Sequence, residues 1–97
     1  MRILDLIGSK LVDLGDGRSI ALEYYILSTF SKGDGQPLYG VVVRKQEGEL
    51  VEEEVVEAMS DCRGAIEEIA KILFVNTVTP MCLVEVIDEL ADKRIYG

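Results

Sequence analysis

The residues of this chain best equipped for chemistry are two cysteines, Cys62 and Cys82, and a run of glutamates, six of which fall between Glu47 and Glu57 with no lysine or arginine among them. A thiol near a helix N-terminus gains thiolate character and reactivity, and both cysteines sit close to the start of segments with helical periodicity. Two thiolates are also half of a tetrahedral zinc site, which only carboxylates could complete because the chain has no histidine. The spacing is not CxxC, however, and isolated cysteines are common small core residues; both are read here as structural. Carboxylates in this number suit a hard cation such as calcium or magnesium, or the paired acid and base of glycoside hydrolysis. The run lacks the Asp-x-Asp-x-Asp-Gly pattern of a calcium loop, and on a strand Glu52 and Glu54 point away from Glu53. A solvated acidic face is the expected outcome, with no metal, no cofactor and no catalytic residue assigned.

Other chemistries lack their parts. Without histidine, the Ser-His, Cys-His and zinc-histidine arrangements are excluded. The glycines at 15, 17, 33, 35 and 48 lie at hairpin ends, and neither GDGR at 15–18 nor GDG at 33–35 has the context of a phosphate-binding loop. Tyr24, Tyr25, Phe30 and Tyr39 suit sheet packing better than base stacking, since only Arg44 and Lys45 supply nearby positive charge. Charge is distributed unevenly: residues 1–46 carry +1 and residues 47–97 carry −9, giving the net −8. A nucleic-acid binder needs clustered Lys and Arg to release counterions, so that class is excluded. No apolar run approaches the roughly 18 residues of a membrane span, and Asp5 interrupts what would be the apolar core of a signal peptide. A cytoplasmic protein without membrane contact is expected, in keeping with the two unpaired-looking thiols.

These residues must be positioned by a single domain, since 97 residues leave no room for a second core. Hydrophobic period divides it into a sheet half, 1–57, and a helical half, 60–95. Ile3–Ile7 and Lys10–Leu14 flank Gly8-Ser9 and form either a hairpin or one bent strand. Gly15-Asp16-Gly17 is a turn. In the strand that follows, Ile20, Leu22, Tyr24, Ile26 and Phe30 share one face, while Ala21, Glu23, Tyr25, Leu27 and Thr29 share the other. Leu38–Gln46 is the strongest strand, centred on Val41-Val42-Val43, and Glu47-Gly48 turns it into Glu49–Val56. Ser60 or Asp61 is expected to cap a first helix with the stripe Cys62, Ile66, Ile69, Ala70 and Leu73. Asn76-Thr77 ends it. Thr79 is expected to cap a second helix with Pro80 at its first position, the stripe Leu83, Val84, Ile87, Leu90 and Ala91, and Lys93-Arg94 against its negative end.

Glu23-Tyr24-Tyr25-Ile26-Leu27, Tyr39-Gly40-Val41 and Asn76-Thr77-Val78-Thr79-Pro80, in this order, resemble a family of small uncharacterised Firmicutes proteins, a domain of unknown function of about this length. Tyr39-Gly40 and Asn76-x-x-Thr79-Pro80 are its most specific pieces. The resemblance implies an α+β bacterial cytoplasmic domain and no particular chemistry.

The expected fold is α+β: an antiparallel sheet of four or five strands followed by two C-terminal helices on one face. Its expected function is that of a non-enzymatic protein-interaction or regulatory module with an unidentified protein partner. The alternative is a small ligand-binding or enzyme domain using carboxylates, tyrosines or Cys62. Tyr25, Leu27, Val41, Val43, Glu52 and Glu54 are the candidate interaction surface. Because two helices cover only one sheet face, the other is expected to mediate a homodimer.

Overall fold

A computed structural model describes the backbone of residues 2–96 and the side chains of residues 2–90. Four strands, β1 (Arg2–Gly15), β2 (Arg18–Phe30), β3 (Pro37–Glu47) and β4 (Leu50–Ser60), form one antiparallel sheet in the order β1-β2-β3-β4. Helices α1 (Arg63–Val75) and α2 (Leu83–Tyr96) follow, the second introduced by a 3-10 turn at Pro80–Cys82. The α+β expectation holds, with four strands. The molecule measures 51 × 33 × 17 Å. A sheet and one helix layer about 10 Å apart account for the short dimension, and long strands rising about 3.3 Å per residue for the longest.

Residues 2–15 are one bent strand rather than a hairpin. The bend is a bulge between Leu6 and Gly8, where Leu6 pairs with Tyr25 and Gly8 with Tyr24. Glycine makes room there: a Cβ on Gly8 would stand 2.8 Å from the ring of Phe74 on α1 and would push it aside. The bulge therefore seats the helix on the edge strand.

The helices cover the face carrying Ile20, Leu22, Tyr24 and Ile26 of β2, which the register aligns with Val43 and Val41 of β3. Val41 and Val43, expected on the uncovered side, are 0% exposed in this core. The correction follows from register. In the antiparallel pair Val41 stands opposite Ile26 and Val43 opposite Tyr24, and residues directly opposite share a face. Val42 is the valine on the other side.

On α1 the buried positions are Ile66, Ile69, Ala70 and Leu73, as the periodicity required. Cys62 is the N-cap and not part of the stripe; both Cys62 and Cys82 are exposed free thiols, which overturns their reading as core residues. Neither expected side-chain cap forms. Ser60 Oγ accepts from the Cys62 amide, one residue short of the helix, and at the 3-10 turn it is the Thr79 carbonyl that accepts, from the Cys82 amide. On α2, Leu83 and Ile87 are buried and Leu90 packs beside them, whereas Val84 is 52% exposed and Val86 takes its place against the core. The expectations for Ala91, Lys93 and Arg94 concern side chains outside the described ones.

The end of α1 shows how the helix layer is fastened. The Val78 amide donates to Leu73 O at 3.0 Å and the Thr77 amide to Phe74 O at 3.2 Å, with Thr77 at φ +54°. This is a Schellman closure with threonine where glycine is usual. Lys10 of β1 supplies the cation that the last turn of α1 lacks: its Nζ donates to Phe74 O and, at 3.1 Å, to Thr77 Oγ1, and lies 4.5 Å from the centroid of the Phe74 ring. Tyr24 completes the joint, its ring edge-on to Phe74 at 5.7 Å and its hydroxyl donating to Val78 O at 2.9 Å. Burial pushes the Tyr24 phenol up to about 12.

Candidate functional site

The sheet face away from the helices has no covering layer among the described residues. Alternation along each strand, with the β1 bulge at Leu6–Gly8 taken into account, assigns it Leu4, Leu6, Ser9 and Leu11 of β1, Ala21, Glu23, Tyr25 and Leu27 of β2, Leu38, Val42, Arg44 and Gln46 of β3, and Val51, Glu53 and Val55 of β4. Leu4 (50%), Leu6 (55%), Leu11 (76%), Leu38 (37%) and Val51 (50%) are solvent-exposed. Leu27 and Val42 form a floor, 1% and 2% exposed with no helix over them.

One end of this floor is roofed by the sheet itself. Gly40 pairs with Leu27, and a Cβ on it would lie 2.0 Å from Val56 O and 3.0 Å from the Glu57 Cα. The β4 backbone therefore leans over the face at its bulge, where Ala58 adopts φ +52°. Glu57 then meets Arg2 across the sheet, N to O 3.3 Å. Three strand spacings of about 4.8 Å would hold β1 and β4 some 14 Å apart in a flat sheet, so the sheet coils toward its open side here. The Tyr39-Gly40 pair singled out in the sequence thus has a steric reason.

The middle of the face is polar. Arg44 Nε lies 3.4 Å from Glu53 Oε2, and Tyr25 interacts with both Glu23 and Arg44. Burial first, then the Glu23 charge, raises the Tyr25 phenol above its ordinary value, against the opposing pull of Arg44. Beyond this cluster a shallow groove runs between Ser9, Leu11, Ala21, Glu23 and Gln46.

The six residues expected to share a surface are divided by the fold. Tyr25 and Leu27 lie on the open face, Val41 and Val43 under the helices. Glu52 and Glu54 are exposed but pair with Lys45 and Val43, which puts them on the helix-bearing side of an edge strand. Sequence reasoning missed Leu4, Leu6, Val42 and Val55, because their face depends on the β1 bulge and on the β2–β3 register.

Elsewhere, a cleft of about 560 Å³ beside α2 is bordered by Asn76, Thr77, Thr79, Cys82 and Glu89. That is ligand-sized, but among the described residues it brings together one thiol and one carboxylate and no second acid. In the β2–β3 loop, Ser31 Oγ and the Gln36 amide donate to Asp34 and hold its carboxyl below the usual range. Among the described residues no three Cys, Asp or Glu side chains converge closely enough to hold a metal ion, and no helix is long and apolar enough to cross a membrane.

The comparison with known families follows the same span as this domain. The model of a family of unknown function, DUF6514, matches residues 4–93. The chain belongs to that family. No curated protein and no solved structure matches it. DUF6514 membership agrees with the resemblance to a small uncharacterised family, and its match from residue 4 takes in β1 as well as the Tyr39-Gly40 and Asn76–Pro80 segments that carried the resemblance.

Proposed function

We propose that this chain is a non-enzymatic protein-interaction module whose contact surface is the open face of its sheet. The observation that carries the reading is the set of exposed apolar side chains Leu4, Leu6 and Leu38 beside the Leu27–Val42 floor, with Leu11 and Val51 beyond the polar Arg44–Glu53 row. Apolar surface of this extent, rimmed by Arg44, Glu53 and Glu57, is the usual composition of a protein contact. The proposal includes an origin in Firmicutes, which rests on the resemblance, and a cytoplasmic setting, in which two exposed free thiols are stable.

The test leaves the floor intact, because charging Leu27 or the covered Val43 would unfold the chain rather than block a contact. Leu38→Lys and Val51→Lys are made instead. A partner captured by the wild type and lost by both variants, at unchanged melting temperature, supports the face as the contact. Capture unaffected by either variant removes it. A thermal-shift series against metals and metabolites separates the alternative, a small ligand-binding or enzyme domain working through carboxylates, tyrosines or Cys62: a large shift in the absence of any protein partner favours it.

A further inference from the structure

The two edges of the sheet are built differently. The β4 edge carries Glu49, Glu52, Glu53, Glu54 and Glu57, a left-handed Ala58 and a bulge, all devices that discourage another strand from pairing. The β1 edge is bulged too, between Leu6 and Gly8, but has none of that density of charge and no proline. It presents a strand of 14 residues whose outer side pairs with nothing among the described residues. Its lysine, Lys10, is held on the helix side by Phe74 O and Thr77.

The sequence of β1 is complementary to itself. Because of the bulge, Arg2, Leu4, Leu6, Ser9, Leu11 and Asp13 face the open side. Ile3, Asp5, Gly8, Lys10 and Val12 face the helices, and Ile7 packs against the helix-side core. Two such strands laid antiparallel with Arg2 opposite Asp13 then match throughout. Arg2 meets Asp13 and Leu4 meets Leu11 on the open side; Asp5 meets Lys10 and Ile3 meets Val12 on the helix side. At the centre Ile7 meets Gly8, whose side-chain space holds the ring of Phe74, so each Ile7 meets an apolar surface there. Every pair shares a face, as directly opposed residues in an antiparallel ladder must. A shift of two residues destroys this. It opposes Leu6 to Ile7, which point to opposite faces, or Gly8 to Ser9, and it leaves all four charges without an opposite sign.

We propose that two copies of this chain pair along β1 in this register, forming one continuous eight-stranded antiparallel sheet with both helix layers on the same side. The contact is an edge, so the inference goes beyond the open-face reading and stands or falls separately from it. Within each copy Asp5 already bonds Arg63 at 3.0 Å and Arg2 bonds Glu57 at 3.3 Å. Those side chains are 45% and 58% exposed, and the facing copy adds a second opposite charge to each.

The test is register-specific. In a Cys62→Ser, Cys82→Ser background, the pair Leu4→Cys with Leu11→Cys is oxidised. Opposed residues lie about 4.5–5.5 Å apart between Cα atoms, within disulfide reach. A covalent dimer is expected from the double variant and none from Leu4→Cys alone. Arg2→Glu sets like charges together twice in a symmetric dimer and is expected to weaken it about tenfold. Adding Asp13→Arg is expected to restore it to within about threefold. A mass near 10.7 kDa by light scattering at about 100 μM, where a micromolar complex is nearly full, overturns the proposal. So does a dimer that fails to cross-link at these positions or ignores the charge reversal. A monomer that still loses its partner on Leu38→Lys leaves the open-face reading standing.

Discussion

Gly40 and Tyr24 each do what no other residue type can do at their positions. Gly40 gives its side-chain space to the β4 backbone, and the obstacle a methyl group would meet is a carbonyl oxygen at 2.0 Å, not a movable side chain. Gly40→Ala is therefore expected to destabilise by about 3 kcal/mol or more, at or above the top of the usual cost of overpacking, read as a lower urea midpoint. Tyr24 ties the sheet to the segment after α1 through its bond to Val78 O. Tyr24→Phe is expected to cost about 1 kcal/mol at neutral pH, the worth of one buried hydrogen bond. The phenol's pKa is raised from 10.0 to about 12 by burial. Its contribution is thus full below pH 10 and lost as pH climbs from about 10 through 12, where folding must hold the neutral form. Urea melts at pH 8, 10 and 11.5 check this: the wild type loses stability across the upper interval, and Tyr24→Phe loses less.

The helix stripes carry stability that the acidic strand does not. Ile87 is 9% exposed against the core, and its truncation to alanine is expected to cost about 2–4 kcal/mol. Glu52 is exposed among like charges, with Lys45 across the ladder. Those two effects oppose, so Glu52→Gln is expected to change stability by less than about 0.5 kcal/mol. Equal urea midpoints for the two variants would contradict the packing of α2. Element types and order were legible in the sequence because each depends on short-range pattern: alternation in residues 20–26, the stripe Ile66, Ile69, Ala70, Leu73, and Gly or Pro between them. What was not legible depends on contacts between distant segments. The bend of β1 is decided by Phe74 reaching Gly8, and the face assigned to Val41 and Val43 by pairing with β2. Thr77 ends α1 in a conformation for which the usual signal is glycine, so periodicity placed the end without revealing its form. The open-face residues on β1 stayed hidden for the same reason, since one extra residue at a bulge exchanges every later side chain between faces.

The distribution of charge acts over the entire surface. Its net −8 is concentrated after residue 46, and the basic side chains that the structure describes are largely engaged: Arg2 with Glu57, Arg18 with Asp16 and Glu47, Arg44 with Glu53, Arg63 with Asp5, Lys71 with Glu67. Among the described side chains no stripe of positive charge remains to displace counterions. Electrophoretic mobility shift at about 50 mM salt is expected to show no micromolar binding to duplex DNA or single-stranded RNA, a condition in which electrostatic affinity is strong; a shifted band would contradict it.

Lys10 holds the carbonyl of Phe74, a contact spanning 64 positions of the chain. On a ribosome the N-terminus emerges first, so β1 leaves the tunnel with its lysine unpaired and the hollow at Gly8 empty. The β2–β3–β4 meander can close by short loops as soon as it appears, but β1 cannot be locked against the helix layer until the end of α1 has been made. The first strand thus pairs with β2 through the Gly15–Gly17 turn early but gains its fastening to the helix layer last, and the rate of that final docking should follow the completion of the helix rather than of the sheet.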